Sequence, residues 1–338
     1  MTPDTLATQL LTCTRRYTGL TPSGNPQLGN LIGAIRPAIA DADSTETVVA
    51  IVDLHALTVE HDARQLAERT LRFATVILAA GLDTRQAPLY AQSHVSAHTG
   101  LHYLLEAATH YGEAHRMIQF KEKSAKQETV RLALLTYPVL MASDILLYDT
   151  DEVPVGEDQR QHVELARDIA IRFNRTYGDV FTVPKVVLPE VAARIMDLTD
   201  PTRKMGKTNA GGAGVIFLLD RPDEIRKKIS RAVTDSRNSV AYDPDNQPGV
   251  SNLLSIAAAL TGTDPELIAG DFAGYGALKS GVTDIVVEAL RPLQVRYAEL
   301  SADPTTVRGI LADGAHRVAE RADRTLNRAR TAIGLLPA

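Results

Sequence analysis

Two glycine-rich stretches, far apart in the chain, carry the residue types best suited to phosphate chemistry. The first is Tyr17–Gly33, YTGLTPSGNPQLGNLIG, with Gly19, Gly24, Gly29 and Gly33 punctuated by Pro22 and Pro26. It reads as a short strand around Tyr17-Thr18, a tight loop, and a helix starting near Gly29-Asn30. A helix start presents unpaired N–H groups and the positive end of its dipole, which suits a phosphate. Gly29 and Gly33 share one helix face, where a flat base or a strand can approach closely. The stretch is neither a P-loop nor a dinucleotide fingerprint, so a glycine-rich turn without a ligand stands beside the nucleotide reading. The second stretch is Lys204-Met205-Gly206-Lys207-Thr208, two lysines three apart in a polar run. Positive charge brought late to a transferring phosphate stabilises the transition state more than the ground state. In isolation this pentapeptide reads first as a solvated basic loop.

Asp144 sits inside LLTYPVLMASDILLY. A carboxylate in so apolar a run is costly unless paired or hydrogen-bonded. It is either a recognition group at a pocket floor, with Tyr137 and Met141 on the same helix face as walls, or a buried cap or ion-pair partner. Gly156-Glu157-Asp158-Gln159 puts acceptors just after a strand, where they can meet a ribose or an amino group, or simply cap a helix. His55 follows a strand and is placed in the pocket. His94, His98 and His102 have metal-ligand spacing on a helix, but His94 directly follows a strand and no HExxH-like acid accompanies them. They read as polar residues at a strand-to-helix turn. Arg317, Arg321, Arg324 and Arg328 stripe one face of a C-terminal helix and Val318, Ala322, Leu326, Ala329 and Ile333 another. The favoured reading is a helix docked on its apolar face with a solvated basic face; contact with RNA phosphates is the alternative.

The elements that must hold these residues alternate. Thr47–Asp53, TVVAIVD, has the continuous β-branched character of a strand buried on both faces. A helix from Asp62, its cap, to Gly81 follows, then a strand at Ala87–Gln92, then a helix carrying Leu101, Leu104, Leu105 and Ala108. Gln119–Lys126, QFKEKSAK, reads as a charged loop, Val130–Tyr148 as a strongly apolar segment, and Val153–Gln159 as a short strand leading into a helix. This order predicts an α/β protein with a parallel sheet and ligands at the carboxyl ends of its strands. The polar run from Asp197 through Gly214, DLTDPTRKMGKTNAGGAG, reads as a mobile loop and a domain boundary. After Pro222 only helices are expected: Glu224–Val233, Val250–Leu260, and Leu278–Leu300 with a break at Pro292.

A chain of 338 residues is long enough for two domains, and its 44% hydrophobic and 23% charged content is that of a globular protein. The single cysteine, Cys13, excludes an internal disulfide and a cysteine-rich metal or iron–sulfur site, and fits a reducing compartment. No apolar run is long enough to span a bilayer, and the first residues make a poor signal peptide. With a net charge of −5, any nucleic-acid surface must be local.

Each motif is modest, but the ordered set resembles the bacterial tryptophanyl-tRNA synthetases, from about Tyr17 to the end. The Gly-x-x-Pro-Ser-Gly loop falls on Gly19–Gly24. The HIGH-type signature of class I synthetases falls on Gln27-Leu28-Gly29-Asn30, with Gln27 in place of its first histidine. The KMSKS-type signature falls on Lys204–Thr208, with both lysines kept and Gly206 replacing its first serine. VDLHALT, QFKEKS, VPVGEDQRQH, ARIMDL, AVTDS and PGVSNLL extend the likeness.

The resemblance implies a Rossmann-type catalytic domain over 17–205 behind a 1–16 extension. A helical anticodon-binding domain over 206–300 would follow, and a C-terminal helix over 301–338 packing back on the catalytic domain. It implies a cytoplasmic homodimer that activates L-tryptophan with ATP and transfers it to tRNA(Trp). ATP would come as its Mg2+ complex, with no protein-bound metal. Asp144 would receive the indole N–H, with Tyr17, Gly19, Val52, His55, Tyr137, Met141, Val153 and Gln159 around the amino acid. ATP would meet Thr21, Pro22, Ser23, Gly29, Asn30, Gly156, Glu157, Asp158, Ile195 and Lys204–Thr208 (Met205, Gly206 and Lys207 included). Lys123, Lys204, Lys207 and Asn30 would serve catalysis. Thr21 stands where the family usually has Gln. A tyrosine-specific synthetase is the nearest rival, and an auxiliary tryptophan-activating paralogue another.

Overall fold

The computed structural model describes residues 13–125, 127–188, 195–206 and 212–336. Lys207 and Thr208 of the second signature, with the residues that follow them through Gly211, and residues 1–12 lie outside them. Among the described residues, five strands form one all-parallel sheet: β1 (Arg15–Leu20), β2 (Glu46–Ile51), β3 (Leu89–Ala91), β4 (Glu152–Pro154) and β5 (Lys185–Val187). Their spatial order is β3-β2-β1-β4-β5. The chain therefore builds outward from β1 on one side and then returns to its other side. Such a reversal opens a crevice at the carboxyl ends of the central strands.

The first half carries α1 (Leu28–Asn30), α2 (Arg36–Ala42), α3 (Ala63–Ala79), α4 (Ala97–Ala107), α5 (Tyr111–Arg116), α6 (Ile118–Ser124), α7 (Leu132–Leu146) and α8 (Arg160–Tyr177). A π-helical turn, Leu31–Ile35, joins α1 to α2. Beyond the lysine-bearing stretch come α9 (Pro222–Ser230), α10 (Pro248–Thr261), α11 (Pro265–Ala269), α12 (Tyr275–Ala302) and α13 (Pro304–Ala332).

Alternation along β2 explains the layers. Val49 and Ile51 face one apolar cluster, shared with α3 and α10–α12; Val48, Ala50 and Val52 face another, shared with α4, α7, α8 and the second half of α13. The first cluster runs without interruption from the sheet into the helices after Pro222. Local signals end the helices as the sequence suggests. Asp62 Oδ1 accepts from Arg64 N at 2.9 Å, and Gly81, at φ +110°, closes the turn after α3 in a region that favours glycine.

Three expectations need correction, and one strand was not anticipated. The QFKEKSAK segment is helical through Ser124, because one buried anchor, Phe120, seats an otherwise charged helix. Pro292 does not break α12; Leu290 and Leu293 are buried on either side of it, and packing outweighs the local cost of about 3 kcal/mol. β5 carries no signal strong enough to have been anticipated. β1 begins at Arg15, inside the expected 1–16 extension, because Arg15 and Arg16 pair with Asp151, Asp41 and Glu152 instead of with water.

The helix α13 covers β3, an edge strand of the sheet. A Cβ on Gly314 would lie 2.1 Å from the Leu89 carbonyl oxygen, so only glycine permits this crossing. Covering an edge hides its unpaired backbone groups from other chains.

Candidate active site

A cavity of about 620 Å3 opens at the carboxyl ends of the central strands. It gathers most of the residues named from the sequence: Tyr17, Gly19, Thr21, Ser23, Asn30, Val52, His55, Lys123, Tyr137, Met141, Asp144, Val153, Gly156, Asp158, Gln159 and Lys204. Six others do not line it. Pro22, Ile195 and Met205 are buried, Gly29 and Gly206 are partly buried, and Glu157 turns away to pair with Arg160 at 3.2 Å. A larger groove, about 970 Å3, runs along α2 and α10, but it holds none of the expected residues and no convergent set of titratable groups. The smaller cavity is the candidate site.

At its floor, Asp144 on α7 is 1% exposed and fully engaged. Its Oδ1 accepts from Gln92 Nε2 and His98 Nδ1, both at 2.6 Å, and its Oδ2 from His55 Nε2 at 2.9 Å. Burial pushes the carboxyl up, but the two histidines outweigh it and hold it at about 2. An ionised carboxylate only accepts, so both ring nitrogens facing it carry protons. Of its roughly four lone-pair positions three are used, and one on Oδ2 remains for another donor.

The network continues behind His98. Its Nε2 lies 3.0 Å from the hydroxyls of both Tyr90 and Tyr148, and Tyr90 donates to Tyr148 at 2.7 Å. Burial pushes all of these phenols up. His98 therefore departs from the turn-residue reading: it lies inside α4, completely buried, and orients the carboxylate. His94 ends the turn after β3, and His102 approaches Glu106 at 3.1 Å. Among the described residues no group of three or more potential ligands could hold a metal ion. Gln92 and His98 are the site residues that sequence reasoning missed. The available signal for Gln92 was its place at a strand's carboxyl end; for His98 there was none without the fold.

The walls are apolar. Tyr17 stacks on Tyr148 with ring centroids 5.8 Å apart, and Val52, Met141 and Val153 complete the surround. A Cβ at Gly19 would sit 3.1 Å from Val52 and 3.2 Å from the Tyr17 ring, so glycine keeps this space open. Tyr137 meets His55 edge-on, and its hydroxyl contacts His162 Nε2 at 2.7 Å. Burial, with help from Lys123 and His55, holds His162 down at about 4.

The polar rim comes from α6 and two loops. Lys123 Nζ stands 5.0 Å from the Tyr137 ring centroid and donates to Gln119 Oε1 at 3.0 Å; burial lowers its pKa. Gln119 and Lys123, four apart, both reach the cavity because α6 is a helix. Asp158 Oδ2 accepts from Gln159 Nε2 at 2.8 Å. Lys204 is exposed and is bridged through its backbone to Met196. Asn252 of α10 grips Met196 from both sides, accepting from its N at 2.8 Å and donating to its carbonyl at 2.9 Å. Asn252 is a further residue that the sequence did not single out.

The apolar face of α13 docks as expected, with Val318, Ala322, Leu326 and Ala329 buried, but its arginines do more than face solvent. Arg317 donates to the Thr84 and Arg85 carbonyls, Arg321 pairs with Glu46 at 2.5 Å, and Arg328 with Asp149 at 2.5 Å. Three of the four arginines thus staple the helix to the sheet half of the molecule. Only Arg324 stays on its own helix, paired with Glu320 at 2.7 Å.

With this geometry in view, the chain can be compared with known proteins. A family model described as class I tRNA synthetases (W and Y) matches residues 12–291. Tryptophan–tRNA ligase 1 of Streptomyces avermitilis is 51% identical over 329 residues, covering 96% of this chain and 99% of its own. The tryptophan–tRNA ligase of Leifsonia xyli is 50% identical, covering 95% and 97%. Among solved structures, tryptophanyl-tRNA synthetase from Mycoplasma pneumoniae superposes with a TM-score of 0.89 at 35% identity, over 96% of this chain and 98% of that one. The Campylobacter jejuni enzyme, described as complexed with ADP and tryptophan, gives 0.82 at 31% identity, over 95% and 100%.

Proposed function

The chain belongs to the class I tRNA synthetases of the tryptophan and tyrosine type, and on that premise we propose that it is a tryptophan–tRNA ligase. The observation that carries the amino-acid assignment is Asp144. An ionised, triply anchored carboxylate with one acceptor position left lies under flat apolar walls, which is a receptor for an indole N–H. A site built to pair one donor rejects analogues that lack it. Relatives near 50% identity over almost the whole chain carry the tryptophan name, which favours this branch over the tyrosine one.

The reaction needs no covalent nucleophile. Tryptophan binds with its indole on Asp144, between Tyr17, Val52, Met141 and Val153. Tyr137 and Gln159 hold its ammonium group. The carboxylate then attacks the α-phosphate of Mg2+-ATP in line and pyrophosphate leaves. Thr21, Ser23, Asn30, Gly156 and Asp158 surround the nucleotide. Lys123 and Lys204 bring positive charge to the phosphates, and Lys207 joins them if the signature keeps its usual role. A ribose hydroxyl of the terminal tRNA adenosine next attacks the carbonyl carbon of the adenylate, forming the ester while the acyl–phosphate bond breaks and AMP leaves.

Two further assignments belong to this reading. Helices α9–α12 would serve the anticodon. A homodimer is supported by strongly exposed Tyr103, Tyr111, Ile118, Val130 and Leu132 on or beside the neighbouring helices α4–α7, a combination that marks interaction surfaces. Pyrophosphate exchange with each standard amino acid tests the activation step and the amino-acid assignment. Exchange dependent on tryptophan alone is expected; exchange driven by tyrosine would move the chain to the other branch.

A further inference from the structure

We propose that Gln27 is a positioning residue for the second signature, setting the height of Lys204 over the cavity instead of binding phosphate itself. The proposal rests on the adenylate-forming reading above. Gln27 stands where the first signature usually opens with histidine, and its side chain is only 4% exposed. Both ends of its amide are used inside the protein. Oε1 accepts from the Gly29 backbone N–H, and Nε2 donates to the Met205 carbonyl at 3.0 Å. Its backbone N–H donates to Asn30 Oδ1 at 3.1 Å. One amide N–H is committed to Met205; the second belongs to a buried side chain that does not line the cavity, so it does not face a phosphate held there.

The residues around Gln27 hold the other end of the same loop. Leu28 N donates to the Ile216 carbonyl at 2.9 Å, Leu218 N donates to the Pro26 carbonyl at 3.0 Å, and Gln27 itself bridges antiparallel to Phe217. The chain enters the loop at Met205 and leaves it at Ile216–Leu218, and both points are fastened to Pro26–Leu28. The exit bonds are backbone to backbone and independent of residue type. The entrance bond is the single one of this set that depends on a side chain. Met205 is otherwise held from the far side, where its N donates to the Ile195 carbonyl at 3.0 Å. Lys204 precedes Met205 directly, so a change in that carbonyl's position moves the lysine that lines the cavity.

The substitution that separates this role from simple helix capping is Gln27→Glu. It keeps an acceptor for Gly29 and the side-chain volume, but sets a carboxylate oxygen against the Met205 carbonyl. We expect adenylate formation in single turnover to slow by about 10- to 100-fold, the scale of one lost buried hydrogen bond, with the KM for ATP nearly unchanged. In a Lys204→Ala background the same change should cost little, because the lysine it positions is gone. The chain has no tryptophan of its own, so fluorescence of bound L-tryptophan verifies an intact floor in each variant. Should Gln27→Glu fail to fold, Gln27→Met, which keeps the volume and loses both bonds, is measured in the same cycle. A wild-type adenylate rate in the folded variant, or an undiminished loss in the Lys204→Ala background, overturns the proposal. Absence of tryptophan-dependent exchange in the wild type would instead overturn the functional reading.

Discussion

Asp144 and Lys204 line one cavity and are held in contrasting ways. The carboxylate is buried, fixed by three side-chain hydrogen bonds from three different elements, and backed by two tyrosines. The lysine is exposed, at the entrance of a loop where the chain is held by a backbone bridge to Met196 and by the bond that Gln27 makes to its neighbour, and its own side chain is not locked by neighbours as the carboxylate is. Recognition of one donor gains from a receptor that cannot rearrange, since a preorganised acceptor loses nothing when the ligand arrives. Charge that must favour the transition state over bound ATP gains from a group that is not locked against the ground state. The two ends of the site are built for different moments of the same reaction.

That contrast makes the lysine loop the place for the largest kinetic effect. Lys204→Ala, and Lys207→Ala beside it, should lower kcat for adenylate formation by about 10²–10³ while the KM for ATP changes far less. Pre-steady-state adenylate formation at saturating ATP decides the matter; a normal rate with weakened ATP binding would make the lysine a ground-state clamp. The floor should respond in the opposite sense. Asp144→Asn should raise the KM for tryptophan by about 10- to 150-fold, the equivalent of ~1.5–3 kcal/mol for a hydrogen bond to a charged group, and leave the KM for ATP nearly alone. His98→Phe should act on tryptophan in the same direction, because the carboxylate loses its main anchor. Equal effects on both substrates would erase the distinction between floor and loop.

A smaller effect concerns stability. His162 is held at about 4 in the folded protein against an ordinary 6.5, so its proton binds the unfolded chain more readily. Stability is therefore unaffected by this group well above pH 6.5 and declines as pH falls through 6.5 toward 4, by about 1.4 kcal/mol per pH unit at most. Urea unfolding from pH 7 to 5 should show the decline in the wild type and a flatter profile in His162→Gln. The smallest effect is expected at the staples behind the floor. Arg321 and Glu46 are both partly exposed, and Arg321→Gln should cost ~0.2–1 kcal/mol of stability without touching adenylate formation. An altered salt dependence of tRNA binding in that variant would return the residue to an RNA-contacting role.

Periodicity and local signals were enough to read much of this chain. The β-branched run at β2, the cap at Asp62, the stop at Gly81 and the apolar spacing of α3 and α4 are local, and each pairs a residue type with a backbone need it meets on the spot. The lone Asp144 in an apolar run and the two signatures were legible for the same reason, because a costly or unusual residue stands out against its neighbours. What the tertiary structure alone decided involves contacts across large sequence separations. Gln92 and His98 meet Asp144 only when β3 and α4 pack against α7. Asn252 meets Met196 only when α10 returns to the sheet. The charged segment around Phe120 becomes a helix because the core accepts that one ring, and α12 ignores Pro292 because its neighbours bury both sides of it. The arginines of α13 looked like a free basic face until the partners Glu46, Asp149 and the Thr84 carbonyl were brought beneath them. A sequence states which groups will demand partners; which partners they obtain depends on packing between segments that the sequence keeps far apart.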